Sequence, residues 1–159
     1  MTVELLDEFL DACDRAGVPV WIGGGWGVDA LVGKQTRPHR DLDIMYPIEH
    51  DADLRDLLNG LGYVPETDWW PARVEFAGKS YVDVHPLRFA EDGSAVQSGL
   101  GGAEFVYPAS AFARGSIEGR EVGCLSAEQQ RIFHSGYEPR PVDLHDLRLL
   151  AEHVEVTGE

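Results

Sequence analysis

The sequence predicts an α+β fold, a short, twisted mixed sheet flanked by helices, with a small helical C-terminal segment over residues 126–159. Helical spacing of apolar residues gathers toward the two ends of the chain, and period-two alternation fills the middle. No regular strand–helix–strand series runs through it, which argues against a doubly wound parallel sheet. The 159 residues fit one domain, 1–159, and no shift in composition marks a second. A hydrophobic share of 43% is enough to bury a real core.

Leu6, Phe9, Leu10 and Cys13 follow helical spacing, so 3–16 reads as an amphipathic helix closed by Gly17. Val18 to Ile22 reads as a short buried strand that runs into Gly23-Gly24-Gly25. The next helix spans Trp26 to Val32 and stops at Gly33; Lys34 to Arg40, with Pro38, is a loop. Asp41-Leu-Asp-Ile-Met-Tyr alternates as a strand ended by Pro47, and Leu54, Leu57, Leu58 and Leu61 form another helical stripe. Ala72–Ala77 and Tyr81–Leu87 flank Gly78-Lys79 as a hairpin, and 91–102 reads as a loop. Glu104–Tyr107 and Ser116–Cys124 suggest two more strands. Ser126-x-x-Gln129 has the form of a capping box opening a helix toward His134. Asp143 caps a last helix with Leu147, Leu150, Ala151 and Val154 on one face.

The formal net charge of -15 opposes the grip of a nucleic acid backbone, so polymerase and tRNA-modifying roles lose weight. Such a surface suits small cationic substrates, and it serves plain solubility equally well. Apolar runs are broken within a few residues, so no membrane span is expected, and the acidic N-terminus lacks the basic region of a signal peptide. The expected location is the cytoplasm, with Cys13 and Cys124 as reduced core residues. The six histidines show no zinc spacing.

Asp41 and Asp43 lie two apart on a strand, so both carboxylates leave one face. Two adjacent acids repel and need a cation, and Mg²⁺ is the hard ion that takes carboxylates while keeping sites open for phosphate. Upstream, a buried strand delivers Gly24-Gly25 to a helix start, where bare backbone and helix N–H groups favour an anion. Asp83, between Val82 and Val84, faces away from both valines and is either solvent-facing or part of a site. Gly25-x-Gly27-x-x-Ala30 fits a relaxed dinucleotide fingerprint but is followed by no βαβ series. Gly33-Lys34 ends like a P-loop, yet Gln35 stands where Ser or Thr must bind the metal.

Residues 24–44, Gly-Gly-Trp-Gly-Val-Asp-Ala-Leu-x-Gly-Lys-Gln-x-Arg-x-His-Arg-Asp-Leu-Asp-Ile, resemble the core of small antibiotic nucleotidyltransferases of the DNA polymerase β-like superfamily. The likeness is nearest to lincosamide O-nucleotidyltransferases and more distant to aminoglycoside 2''-O-nucleotidyltransferases. It extends through Trp70-Pro-Ala-Arg73, Asp83-Val-His-Pro86, the segment from Gly101-Gly102 to Tyr107, and Phe133-His-Ser-Gly-Tyr137. The resemblance implies the polymerase β-like nucleotidyltransferase fold, and Mg²⁺ on Asp41 and Asp43, with Asp83 as third metal ligand, general base, or both. It sets Gly24 and Gly25 at the nucleotide phosphates with Trp26, His39 and Arg40 beside them, and it implies a homodimer. Two stretches depart from the pattern, Met45-Tyr46-Pro47 after the paired acids and Pro139–Pro141 before the last helix.

Trp70, Arg73, His85, His134 and Tyr137 are the candidate acceptor contacts, each with a plain packing role as its rival. Asp29 is expected to brace the loop carrying Arg37 or Arg40. The resulting expectation is Mg²⁺-dependent transfer of a nucleoside monophosphate from ATP or another NTP to a hydroxyl of a small antibiotic, foremost a lincosamide. The rivals are an aminoglycoside acceptor and a protein-modifying minimal nucleotidyltransferase of the toxin–antitoxin kind. Neither nucleic acid nor membrane is an expected partner.

Overall fold

The computed structural model describes residues 1–135 and 137–157, with side chains as far as His153. Helix α1 (Val3–Ala16) starts where the Thr2 hydroxyl accepts the Leu5 N–H at 3.2 Å, and it ends at Gly17 in the left-handed region. Its buried stripe is Leu6, Phe9, Leu10 and Cys13, as the spacing predicts. Strand β1 is shorter than expected, Trp21–Gly23. It pairs antiparallel with β2 (Asp41–Pro47), Trp21 opposite Met45. Two residues further back the register would set Pro19 against Pro47, and neither can donate to a ladder. Helix α2 (Gly24–Val32) begins directly after β1, two residues before the expected start at Trp26.

Helix α3 (Asp51–Gly60) buries Leu54 and Leu58, with Leu57 and Leu61 partly covered. Six further strands follow in β3 (Val64–Trp69), β4 (Arg73–Ala77), β5 (Tyr81–Phe89), β6 (Ala95–Ser98), β7 (Glu104–Tyr107) and β8 (Phe112–Ile117). Strand β9 (Arg120–Leu125) pairs with β8 across Glu118-Gly119, both at positive φ. The single strand expected over 116–124 is thus a hairpin turning in its middle. The chain closes with α4 (Ala127–Phe133) and α5 (Pro141–Thr157). Ser126 caps α4 by accepting the Gln129 N–H at 3.1 Å. On α5 the cap differs from expectation. Pro141 occupies the first helical position and Asp143 reaches back to the Arg140 N–H at 2.9 Å, the reciprocal half of a capping box.

Strands run in the order β3-β4-β5-β2-β1-β9-β8, with β6 and β7 laddered onto the far end of β5. The β2–β5 and β1–β9 pairs are parallel and the rest antiparallel. One face presents Leu42, Ile44, Val82, Val84, Val74 and Phe76 to the apolar stripes of α1 and α3. Tyr46 ties that layer down, its hydroxyl donating to Asp51 at 2.7 Å. The opposite face holds a smaller cluster around Met45, Leu87, Tyr107 and Leu125. On α2, Trp26 and Ala30 enter the main core, while Val28 meets Ala127 of α4 and Leu150 of α5. Leu147 packs there too, whereas Ala151 is exposed and the Val154 side chain lies outside the described residues. Cys13 and Cys124 are buried and free of disulfides, and burial pushes their thiols up to about 12 and about 11.

Candidate active site

Register builds the centre of the site. Parallel pairing sets Asp43 of β2 opposite Asp83 of β5, antiparallel pairing sets Glu75 of β4 opposite Asp83, and Gly23 of β1 stands opposite Asp43. Residues opposite one another across a pleated sheet share a face, so Gly23, Asp43, Asp83 and Glu75 form one transverse row. Three acids in adjacent strands repel, and two basic side chains offset part of that. Arg73 donates to Asp83 at 2.7 Å, and the His85 Nε2 lies 3.4 Å from Asp43 and 3.9 Å from Asp83. Burial foremost, with the Asp43 charge behind it, pushes the Asp83 carboxyl up to about 6, against the pull of His85 and Arg73. Burial works to lower His85, but its hydrogen bond to Asp43 and the two carboxylate charges leave it raised. The Asp83 Oδ1 is buried with no hydrogen-bond partner among the described residues.

Donor atoms of Asp43, Asp83 and His85 lie within 4.8 Å of one another. Asp41, one pleat away on the same face, stands outside that trio beside Arg40 at 3.4 Å, and burial and Asp43 raise its pKa. The glycine turn abuts the row. Gly24 has φ 59°, and a Cβ there would run into the Asp43 carboxylate. The first turn of α2 has neither a side-chain cap nor an acidic residue, so its N–H groups face the site bare.

The loop before β2 is held from two sides. Asp29, fully buried on α2, accepts from the Thr36 N–H at 2.9 Å, from the Thr36 hydroxyl, and from the His39 Nε2 at 2.6 Å. Asp29 therefore braces the loop as expected, through Thr36 and His39. From α5, His145 reaches Thr36 at 2.9 Å and Asp146 takes a bidentate pair from Arg37 at 2.9 and 3.1 Å.

A cavity of about 700 Å³ opens over the row, bounded by the glycine turn, the loop, β6 and β7, and the two C-terminal helices. Of the residues expected there, Gly24, Gly25, Arg40, Asp41, Asp43, His85, His134 and Tyr137 line it. Asp83 lies beneath, in contact through His85. Trp26 is fully buried with its indole on His39, centroids 4.5 Å apart, so it belongs to the core and does not line the cavity. The His39 imidazole is likewise committed to Asp29. Trp70 and Arg73 lie outside the lining. Trp70 sits on the β3–β4 turn with the Arg55 guanidinium 5.4 Å from its ring, and the Arg73 charge is taken up by Asp83.

Other lining residues escape a sequence reading. Gln97, on a strand the sequence leaves as loop, faces the His85 Nδ1 at 3.4 Å and accepts from the Tyr107 hydroxyl. Phe105 and Phe133 form an apolar rim with Tyr137 and Val142. The quoted segments around Tyr107 and Phe133 are the signal that brings these residues within reach.

A mixed sheet with register-matched aspartates against a bare, glycine-built helix start defines the class as nucleotidyltransferase. The chain belongs to the aminoglycoside-2''-adenylyltransferase family, whose profile matches residues 5–150. It is 36% identical over 152 residues to a lincosamide resistance protein of Staphylococcus haemolyticus, covering 94% of each. It is 32% identical over 145 residues to a 2''-aminoglycoside nucleotidyltransferase of Escherichia coli, covering 89% of this chain and 78% of that one. A lincomycin-bound crystal structure of a lincosamide antibiotic adenylyltransferase superposes with TM-score 0.89 at 35% identity, covering 96% of this chain and 98% of that one.

Proposed function

We propose that this enzyme transfers the nucleoside monophosphate of ATP to a hydroxyl of a small antibiotic, with a lincosamide as acceptor and Mg²⁺ as metal. The observation that carries the reading is the Asp43–Asp83 pair, in register beside the bare N-terminus of α2, with Asp43 lining a cavity of about 700 Å³ and Asp83 just beneath it. The residues suit a hard divalent ion. Two carboxylates and an imidazole converge within 4.8 Å, and a buried carboxylate oxygen lacks a partner among the described residues. Asp43 and Asp83 would hold the metal, with Asp41 joining from the next pleat. When bound there, Mg²⁺ offsets the triphosphate charge and the repulsion within the row.

The protein's own groups supply the rest. Gly24 and Gly25 present backbone N–H groups to the phosphates, and the loop holds its position through Asp29. Asp83 receives the proton of the acceptor hydroxyl as the oxygen attacks the α-phosphorus and pyrophosphate departs.

The rim of Phe105, Phe133, Tyr137 and Val142, each 38–49% exposed, supports a lincosamide over an aminoglycoside. A lincosamide pairs a sugar with an alkylated ring that such a wall can cover, whereas an aminoglycoside is polar and cationic throughout. The reading includes a cytoplasmic location, where ATP is at hand; among the described residues no helix is long and apolar enough to cross a membrane. It also includes a homodimer, which rests on the family resemblance and is tested by light scattering.

The direct test incubates the protein with Mg-ATP and a panel of lincosamides and aminoglycosides, following pyrophosphate and drug mass. One AMP adduct on a lincosamide hydroxyl is expected. Adducts on aminoglycosides alone would reassign the acceptor. ATP binding without any drug adduct would favour the protein-modifying rival.

A further inference from the structure

The arginine that the family resemblance sets beside the phosphates is Arg40, yet the geometry gives Arg40 other employment. Its guanidinium stacks 4.0 Å above the Tyr81 ring, and its Nη1 lies 3.4 Å from Asp41 and 3.8 Å from Glu75. The side chain is 61% exposed, so it occupies the open rim beyond the acidic row.

Arg37 stands where an anion is wanted. A Cβ built on Gly25 would collide with the Arg37 Nη2 and would lie 2.6 Å from the His39 Nδ1. The guanidinium therefore lies directly against the first turn of α2, in space that exists because residue 25 has no side chain. Guanidinium and helix N-terminus are both positive, and their juxtaposition is unfavourable without negative charge between or beside them. Asp146, with its side chain 2% exposed, offsets one edge of the guanidinium by accepting from Nε and Nη2. The Nη1 gives one hydrogen to the Pro38 carbonyl at 3.1 Å. One N–H on each terminal nitrogen remains beyond these bonds, in a side chain that lines the cavity.

We propose that Arg37 is the guanidinium that receives the triphosphate, oriented for that contact by Asp146 on α5. This rests on the nucleotidyltransferase reading above. Asp146 is here a positioning residue that acts through Arg37. Since His134, the residue that closes α4, also lies 3.6 Å from Asp146, the C-terminal helices set the geometry of the phosphate contact as well as the acceptor wall.

The test measures binding of ATP and of adenosine, with Mg²⁺ present, by titration calorimetry on wild type, R37Q, R37K, D146N and R40Q. R37Q should weaken ATP about tenfold to a hundredfold, the worth of a charged contact, and leave adenosine within about twofold. R37K, which keeps the charge and one bond to Asp146, should fall between. D146N should weaken ATP about threefold to tenfold with adenosine again unmoved. R40Q should change ATP binding less than R37Q does. Equal losses for ATP and adenosine in both R37Q and R37K would make Arg37 a scaffold residue and overturn the assignment. ATP affinity unchanged in R37Q, or a greater loss in R40Q, would overturn it and leave the enzyme class intact. Wild-type protein that binds no nucleotide would overturn both readings.

Discussion

A single methyl group at Gly24 tests how the catalytic row meets the helix. With φ 59° the backbone already disfavours a side chain, and the Cβ would fall on the Asp43 carboxylate. G24A should lower stability by about 1–2 kcal/mol from conformation alone. It should also depress turnover far more than that loss of fold explains, because the carboxylate must move. Thermal melts beside a pyrophosphate assay give both quantities, and unchanged turnover would show that the turn does not constrain Asp43. D43N should reduce turnover roughly a thousandfold at unchanged circular dichroism, the scale of losing one positioned electrostatic group. D83N separates two duties. Loss of turnover with ATP affinity kept marks a base, and loss of both marks a metal ligand. The aspartates and the glycine pair are legible in the sequence because strand alternation fixes which way each side chain leaves the backbone. Arg37 and Arg40 sit in an irregular loop without such a period, so only coordinates separate the one against Gly25 from the one over Tyr81.

Among the elements, helices carry their signature in sequence and several strands do not. The stripes of α1 and α3 repeat every three to four residues, and the Ser126 cap sits where its motif says. Strand β3 contains Pro65, Glu66 and Asp68 and is exposed along almost its whole length, so no core face writes a pattern into it. The short β6 offers only Ala-Val-Gln-Ser, too brief for alternation. The β8–β9 turn uses Glu118-Gly119, which lacks the Asn or Asp that marks such turns. The α4–α5 contact carries a pH dependence. The Asp146 carboxylate, 3.6 Å from the imidazole Nε2, leads the causes that raise the His134 pKa above its ordinary 6.5. A raised histidine contributes stability that is fully present below the ordinary value and lost as pH rises through the raised one. Between about pH 6 and about pH 9, wild type should lose more of its melting temperature than H134Q does. Parallel curves would show that His134 does not couple the helices. Cutting back Leu150, fully buried against Val28 and Ala127, should cost about 2–5 kcal/mol as L150A in chemical denaturation.

For the whole molecule, the acidic balance and the aromatic rim make separable demands on the acceptor. F133A removes apolar wall and no charge, so KM for a lincosamide should rise about tenfold while KM for ATP stays level, and equal changes in both would remove Phe133 from the acceptor wall. The net charge of -15 draws cations from a distance, so the on-rate of a cationic drug should fall as salt is added. The two buried cysteines bear on the molecule in another way. Cys13 lies in α1 and Cys124 in β9, both on the sheet face that the helices cover, and neither thiol, held near 12 and near 11, forms much thiolate at neutral pH. An alkylating reagent therefore waits for each region to open. The rate at which each sulfur is tagged is a clock on its own part of the structure, one that runs without any engineered label. If bound ATP slows both clocks alike, the molecule opens as a unit; if it slows only one, the protein comes apart in stages.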